Sequence, residues 1–229
     1  MTILSLKNVV YTNKRSDITI LNDITIEFLP GKIYGILGKS GAGKSTLLAL
    51  LTGLETVTKG QIYFEDQDVT TIDRDAYRRE EVGTIFQRFN LLTNGTVLDA
   101  LQMSVGRIDK RRKNKQFFYN SLKKVGLDEK VAHQKVKKLS NSNQQRIYLI
   151  NALINDPKII LIDEPAEALS ELSLEMIMCF LRIYAKNENK CIIISSQVKT
   201  IADDVDELWG LNGGKLSFIK DNVGKLVNS

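Results

Sequence analysis

The chain has 229 residues, 43% of them hydrophobic, 26% charged and only 3 proline, so it can bury a sizeable core. This composition excludes disordered, collagen-like and low-complexity classes. Lys and Arg total 32 against 27 Asp and Glu, a net +5 that by itself admits nucleic acid or an anionic membrane surface as partners. The charge is regional. Residues 88–156 carry 14 basic and 5 acidic side chains, or +9, which leaves −4 for the rest of the chain. No apolar run approaches the roughly 20 residues of a membrane-spanning helix. The opening MTILSLKNVV lacks a basic start followed by an apolar block, so no secretion signal is expected and a cytoplasmic location is. Cys179 and Cys191 are far apart without CxxC spacing, which predicts reduced, buried thiols rather than a disulfide or zinc site.

In chain order, β-branched runs at residues 2–9, 24–28, 33–37 and 62–64 read as strands bounded by Pro30-Gly31 and Gly60. Between the last two, residues 44–52 are good helix formers that stop at Gly53. Residues 90–154 show helical patterns and no convincing strand. The continuous apolar run 159–162 predicts a strand buried on both faces. Leu174, Ile177, Met178, Leu181 and Ala185 form one helical stripe, and 192–194 is a second buried strand. Runs 207–211 and 216–219 flank Asn212-Gly213-Gly214, a hairpin signal. The fold class predicted is α/β, with an all-helical insert.

GKSGAGKST, residues 38–46, matches G-x-x-x-x-G-K-[ST] at Gly38, Gly43, Lys44 and Ser45, with a strand before it and a helix after. Glycines let backbone N–H groups turn inward around phosphate oxygens, and the following helix N-terminus adds partial positive charge. The loop as a whole (Gly38, Lys39, Ser40, Gly41, Ala42, Gly43, Lys44, Ser45 and Thr46) is therefore a candidate nucleotide-phosphate site, which alone does not choose between kinases, GTPases and motor ATPases. Lys44 is expected on the β- and γ-phosphates and Ser45 on Mg²⁺. The buried run 159–162 ends in Asp163 and Glu164. Asp163 is placed to hold Mg²⁺ and Glu164 is a candidate general base for the attacking water.

With these motifs in order, the chain resembles the nucleotide-binding subunit of an ATP-binding-cassette (ABC) transporter along nearly its whole length. The resemblance implies a single domain over 1–229. A P-loop ATPase core of mostly parallel sheet with flanking helices takes 1–87 and 157–229, with an N-terminal antiparallel β subdomain. A helical signature subdomain takes 88–156. Val82-Gly83-Thr84-Ile85-Phe86-Gln87 looks like the family's Q-loop, which makes Gln87 a catalytic and metal-site candidate. Tyr11 looks like the aromatic residue that stacks on adenine. Leu139-Ser140-Asn141-Ser142-Asn143-Gln144-Gln145-Arg146 occupies the place of the Leu-Ser-Gly-Gly-Gln signature, making Ser140 and Ser142 candidate contacts to ATP held by the opposite subunit of a head-to-tail dimer. The partner is a second copy or a different ATP-binding subunit, and a transmembrane transporter subunit is implied. The compact length and Gln87-Arg88-Phe89-Asn90-Leu91-Leu92 resemble the group serving lipoprotein release, macrolide efflux and antimicrobial-peptide resistance.

The chain departs from the family pattern in four features. Asn141, Ser142 and Asn143 replace the signature's two glycines and its glutamine, and each added Cβ crowds a backbone meant to approach phosphate, where Asn accepts positive φ better than Ser does. Gln197 stands where the family has a switch histidine, and it hydrogen-bonds without carrying charge. Ser170 replaces the aspartate that closes the loop 166–170, and Asn151 replaces an arginine of the signature helix. Retained ATP binding with slow hydrolysis is expected. The alternative is an ATP-sensing, essentially non-hydrolysing regulatory or assembly subunit. The basic run RIDKRRKNK, residues 107–115, reads as a solvated turn or as a membrane-proximal arm. Nucleic acid is not expected as a partner, because no stacking platform accompanies the charge.

Overall fold

A computed structural model describes residues 1–85, 95–105, 114–165 and 171–222. Four strands form an antiparallel sheet in the order β2-β1-β4-β5: β1 (Leu4–Asn13), β2 (Ile18–Phe28), β4 (Lys59–Phe64) and β5 (Gln67–Asp68). Six others form the order β10-β9-β3-β8-β7-β6: β3 (Ile33–Leu37), β6 (Val82–Ile85), β7 (Ile159–Asp163), β8 (Cys191–Ser196), β9 (Glu207–Asn212) and β10 (Lys215–Asp221). The five from β9 to β6 run parallel, and β10 turns back on β9 through Gly213-Gly214.

The central parallel strands are apolar up to their carboxyl ends because both faces are covered. Ile159 and Leu161 of β7, Cys191 and Ile193 of β8 and Tyr34 and Ile36 of β3 face one core. Ile160, Ile162, Ile192, Ile194 and Ile33, the alternate residues, face another. Helix α1 (Lys44–Leu51) closes the first face with Leu47, Leu48, Leu50 and Leu51, and the antiparallel sheet adds Leu4, Leu6 and Leu21 to the same core. Each such fully buried aliphatic side chain contributes about 1.5–3 kcal/mol. After the short helix α2 (Arg74–Ala76), the helical insert contains α3 (Val97–Ser104), α4 (Lys115–Lys124) and α5 (Asn141–Leu153). Helix α6 (Glu171–Asn187) covers the second face with Met178, Leu181 and Ala185, as its stripe predicts.

Helices α3, α4 and α5 enclose a third core around Leu101, Phe118, Leu122 and Ile147. Between 95 and 154 the described residues form no strand, only the single bridge Thr96 to Lys135. A capping box at Thr96 and Asp99 starts α3, and Asn114 caps α4. One expectation is corrected here. Cys179 is exposed, whereas Cys191 is buried, and desolvation pushes the Cys191 thiol far above its ordinary value. Residues in a helix advance about 100° per step, so the neighbour of the inward Met178 is carried out of the stripe. Among the described residues, no helix is long and apolar enough to cross a membrane.

Candidate functional site

The carboxyl ends of β3, β7 and β8 meet at one edge, with Leu37 opposite Ser196 and Asp163 opposite Ser195. In open α/β sheets this edge is where ligands bind. Residues 38–43 leave β3 there and turn into α1. Gly41 and Gly43 take left-handed φ of 78° and 101°. A Cβ on Gly38 would stand 2.7 Å from the Leu211 carbonyl oxygen, so the close approach to β9 requires glycine. Gly43 is the N-cap of α1; no side chain caps it and no acid occupies the helix's own first turn. Lys39, Ser40 and Gly41 are exposed, Ala42 and Thr46 half-buried.

Lys44 is buried, and its three ammonium donors are all engaged: the Gly38 carbonyl at 2.7 Å, the Lys39 carbonyl at 3.2 Å and Glu164 Oε1 at 2.9 Å. Glu164 is also buried, with a left-handed φ of 50°. Its backbone N–H donates to the Ser195 carbonyl at 3.0 Å, and its Oε2 accepts from the Gln197 backbone N–H at 2.9 Å. Ser45 Oγ donates to Asp163 Oδ2 at 2.8 Å, and Ser195 Oγ donates to Asp163 Oδ1. Two adjacent pairs more than a hundred positions apart in the chain, Lys44-Ser45 and Asp163-Glu164, thus converge on one edge.

Tyr11 lies opposite Leu21 across the β1–β2 pair, and Leu21 and Ile20 pack where a Gly43 Cβ would point. The Tyr11 hydroxyl donates to Glu55 at 3.1 Å, and burial together with that carboxylate raises its pKa. Gln197 reaches the site through its backbone, and its residue is exposed. Ser140 and Ser142 stand instead at the start of α5, on the helical core, where Ser140 Oγ accepts from Asn143 N at 3.3 Å. Asn141, Ser142 and Asn143 are helical with negative φ, in agreement with a signature segment that begins a helix. Asn151 has a buried Oδ1 with no hydrogen-bond partner among the described residues. Gln87, two residues past the end of β6, lies outside the described residues, as do 107–113 and the loop 166–170.

The sequence reading missed Ser195, which touches both acids. Its signal was present as two serines closing an otherwise apolar strand.

The ABC transporter family profile matches residues 21–167, a span that takes in the phosphate loop, the α5 start and both acids. The chain belongs to the ABC transporter family. It is 34% identical over 224 residues to the uncharacterized ABC transporter ATP-binding protein YclH of Bacillus subtilis, covering 97% of this chain and 99% of that protein. It is 33% identical to the lipoprotein-releasing system ATP-binding protein LolD of Wigglesworthia glossinidia brevipalpis, over 94% of this chain and 96% of that one. The solved dimeric structure of the MJ0796 cassette from Methanocaldococcus jannaschii superposes with a TM-score of 0.84 at 28% identity, covering 95% of this chain and 98% of that chain. A post-hydrolysis dimer of the same cassette bound to ADP and Pi superposes at 0.82. The chain is therefore an ATP-binding subunit of the ABC type, and the α/β P-loop fold expected from sequence is the fold found.

Proposed function

We propose that this subunit binds Mg²⁺-ATP at the Gly38–Thr46 loop, hydrolyses it slowly and couples it to a separate membrane subunit. The observation that carries the reading is the convergence of Lys44 with Glu164 and of Ser45 with Asp163 on the carboxyl edge of β3, β7 and β8.

A hydroxyl and a carboxylate 2.8 Å apart are hard oxygen donors, and no cluster of three metal-ligating side chains exists among the described residues. Such a sparse oxygen set fits Mg²⁺, which keeps several waters and takes phosphate oxygens rather than a full protein cage. Ser45 and Asp163 would hold it, with Gln87 as a further candidate from its match to the family's Q-loop; when bound it neutralises charge on the β- and γ-phosphates. Lys44 exchanges its Glu164 partner for phosphate oxygens, which leaves the buried ammonium compensated throughout. The released Glu164 Oε1 takes a proton from water while its Oε2 stays on the Gln197 N–H. The water oxygen bonds to the γ-phosphorus and the bond to ADP breaks.

Tyr11 is the adenine platform in this reading. Ser140 and Ser142 meet nucleotide on the opposite subunit of a head-to-tail dimer, with residues 88–156 as the helical signature subdomain facing the membrane partner. The dimeric MJ0796 cassette and the role in LolD's name support the dimer and the membrane partner. The substituted positions Asn141, Ser142 and Gln197 slow turnover about a hundredfold if together they remove about 3 kcal/mol of transition-state stabilisation. Phosphate release by the purified chain with Mg²⁺-ATP tests this. Gln197→His combined with Asn141→Gly and Ser142→Gly is expected to accelerate it at least tenfold. No gain over the unsubstituted chain would sink the slow-hydrolysis reading.

A further inference from the structure

We propose that Ser195 is a positioning residue for the divalent cation: its hydroxyl holds the Asp163 carboxylate in the orientation that turns the Ser45 hydroxyl oxygen toward the metal. The inference deepens the proposed function and rests on it.

Ser195 is fully buried at the end of β8, a strand otherwise made of Cys191, Ile192, Ile193, Ile194 and Ser196. A buried hydroxyl in such a strand needs a partner, and its partner is Asp163. The two Asp163 oxygens divide their work. Oδ2 accepts from Ser45, and Oδ1 accepts from Ser195. A carboxylate held at only one oxygen rotates about its terminal torsion, which is broad and two-fold. Held at both, it presents a fixed acceptor to Ser45. The Ser45 proton is then committed to Asp163, which leaves the hydroxyl oxygen's lone pairs available to a metal. Groups that orient a metal's ligands govern its affinity without touching it.

The same residue also anchors the neighbouring acid, because its carbonyl accepts the Glu164 N–H at 3.0 Å. That second contact is made by backbone and survives substitution of the side chain. The hydroxyl's contribution is thus separable from the placement of Glu164.

Calorimetric titration of the full chain with a non-hydrolysable ATP analogue, at graded Mg²⁺ and in EDTA, separates the roles. Ser195→Ala is expected to raise the Mg²⁺ concentration giving half-maximal tight binding about tenfold, while leaving affinity in EDTA within about twofold. Ser195→Thr, which keeps the hydroxyl, is expected to restore the parental Mg²⁺ requirement. An unchanged requirement in Ser195→Ala overturns the proposal. So does an equal loss of affinity with and without Mg²⁺, which marks a purely structural role. Should Ser195→Ala not fold, Ser195→Cys, similar in size with a weak donor, carries the same comparison. If the unsubstituted chain shows no Mg²⁺-dependent nucleotide binding, the functional reading itself fails, an outcome distinct from normal parental binding with an indifferent Ser195→Ala.

Discussion

The phosphate site and the start of α5 are built on different terms. At the first, three parallel strand ends deliver a lysine, two acids and two serines into contact within one chain, and Lys44, Asp163, Glu164 and Ser195 are all buried. At the second, the Ser140 hydroxyl caps a helix that rests on its own core of Leu101, Phe118 and Ile147. Parallel pairing fixes Leu37, Asp163, Ser195 and Ser196 in register, so these contacts of the first site form within one chain. A helix start offers backbone N–H groups and a cap but no opposing charge of its own. The contrast suits the proposed division of labour, in which one edge binds nucleotide and the other meets nucleotide held elsewhere.

Breaking the first site gives the largest effect. Lys44→Met removes the cation from a buried pair and leaves Glu164 uncompensated, which costs about 4 kcal/mol of stability. Nucleotide binding is lost with it. Urea unfolding monitored by circular dichroism checks the stability, and a stability within 1 kcal/mol (about the error of two such extrapolations) would show that the pair is not held in solution.

The helical core is the second target. Phe118→Ala empties a fully buried ring position and costs about 3 kcal/mol. Nucleotide affinity of the subunit is expected to stay within threefold of the parent, because Phe118 belongs to a core separate from that of α1 and β3. Equal losses of stability and affinity would mean that the two regions unfold as one unit.

The smallest effect is a chemical reading of the same contrast. In the native chain maleimide should label Cys179 and spare Cys191 until denaturant is added, and Cys179→Ser should change stability by less than about 0.5 kcal/mol. Because Cys191 opens β8, the strand that ends at the site, its protection in Phe118→Ala would show that β8 stays closed when the helical core is weakened. Mass spectrometry of labelled peptides counts the modified thiols.

Much of this was legible in sequence for a physical reason. The glycine spacing of residues 38–46 is a backbone requirement, so it survives as a local pattern, and the run 159–162 is apolar because β7 is covered on both faces. The α6 stripe at Leu174, Ile177, Met178, Leu181 and Ala185 follows helical geometry, which local spacing encodes. The expectation of a buried Cys179 followed residue type, whereas the α6 stripe turns that position outward. Local patterns do not reach the hydrogen bonds between β8 and the two acids, which join residues some thirty positions apart.

By itself, then, the chain's sequence determined its phosphate loop, its buried strands, its helical insert and its family, because each is encoded by spacing along the backbone. Only the tertiary structure decided that Lys44 rests on Glu164, that the Gln197 N–H donates to Glu164 and that the Ser195 hydroxyl donates to Asp163. Those contacts join residues far apart in the chain. They depend on the register of β3, β7 and β8, which no local pattern specifies.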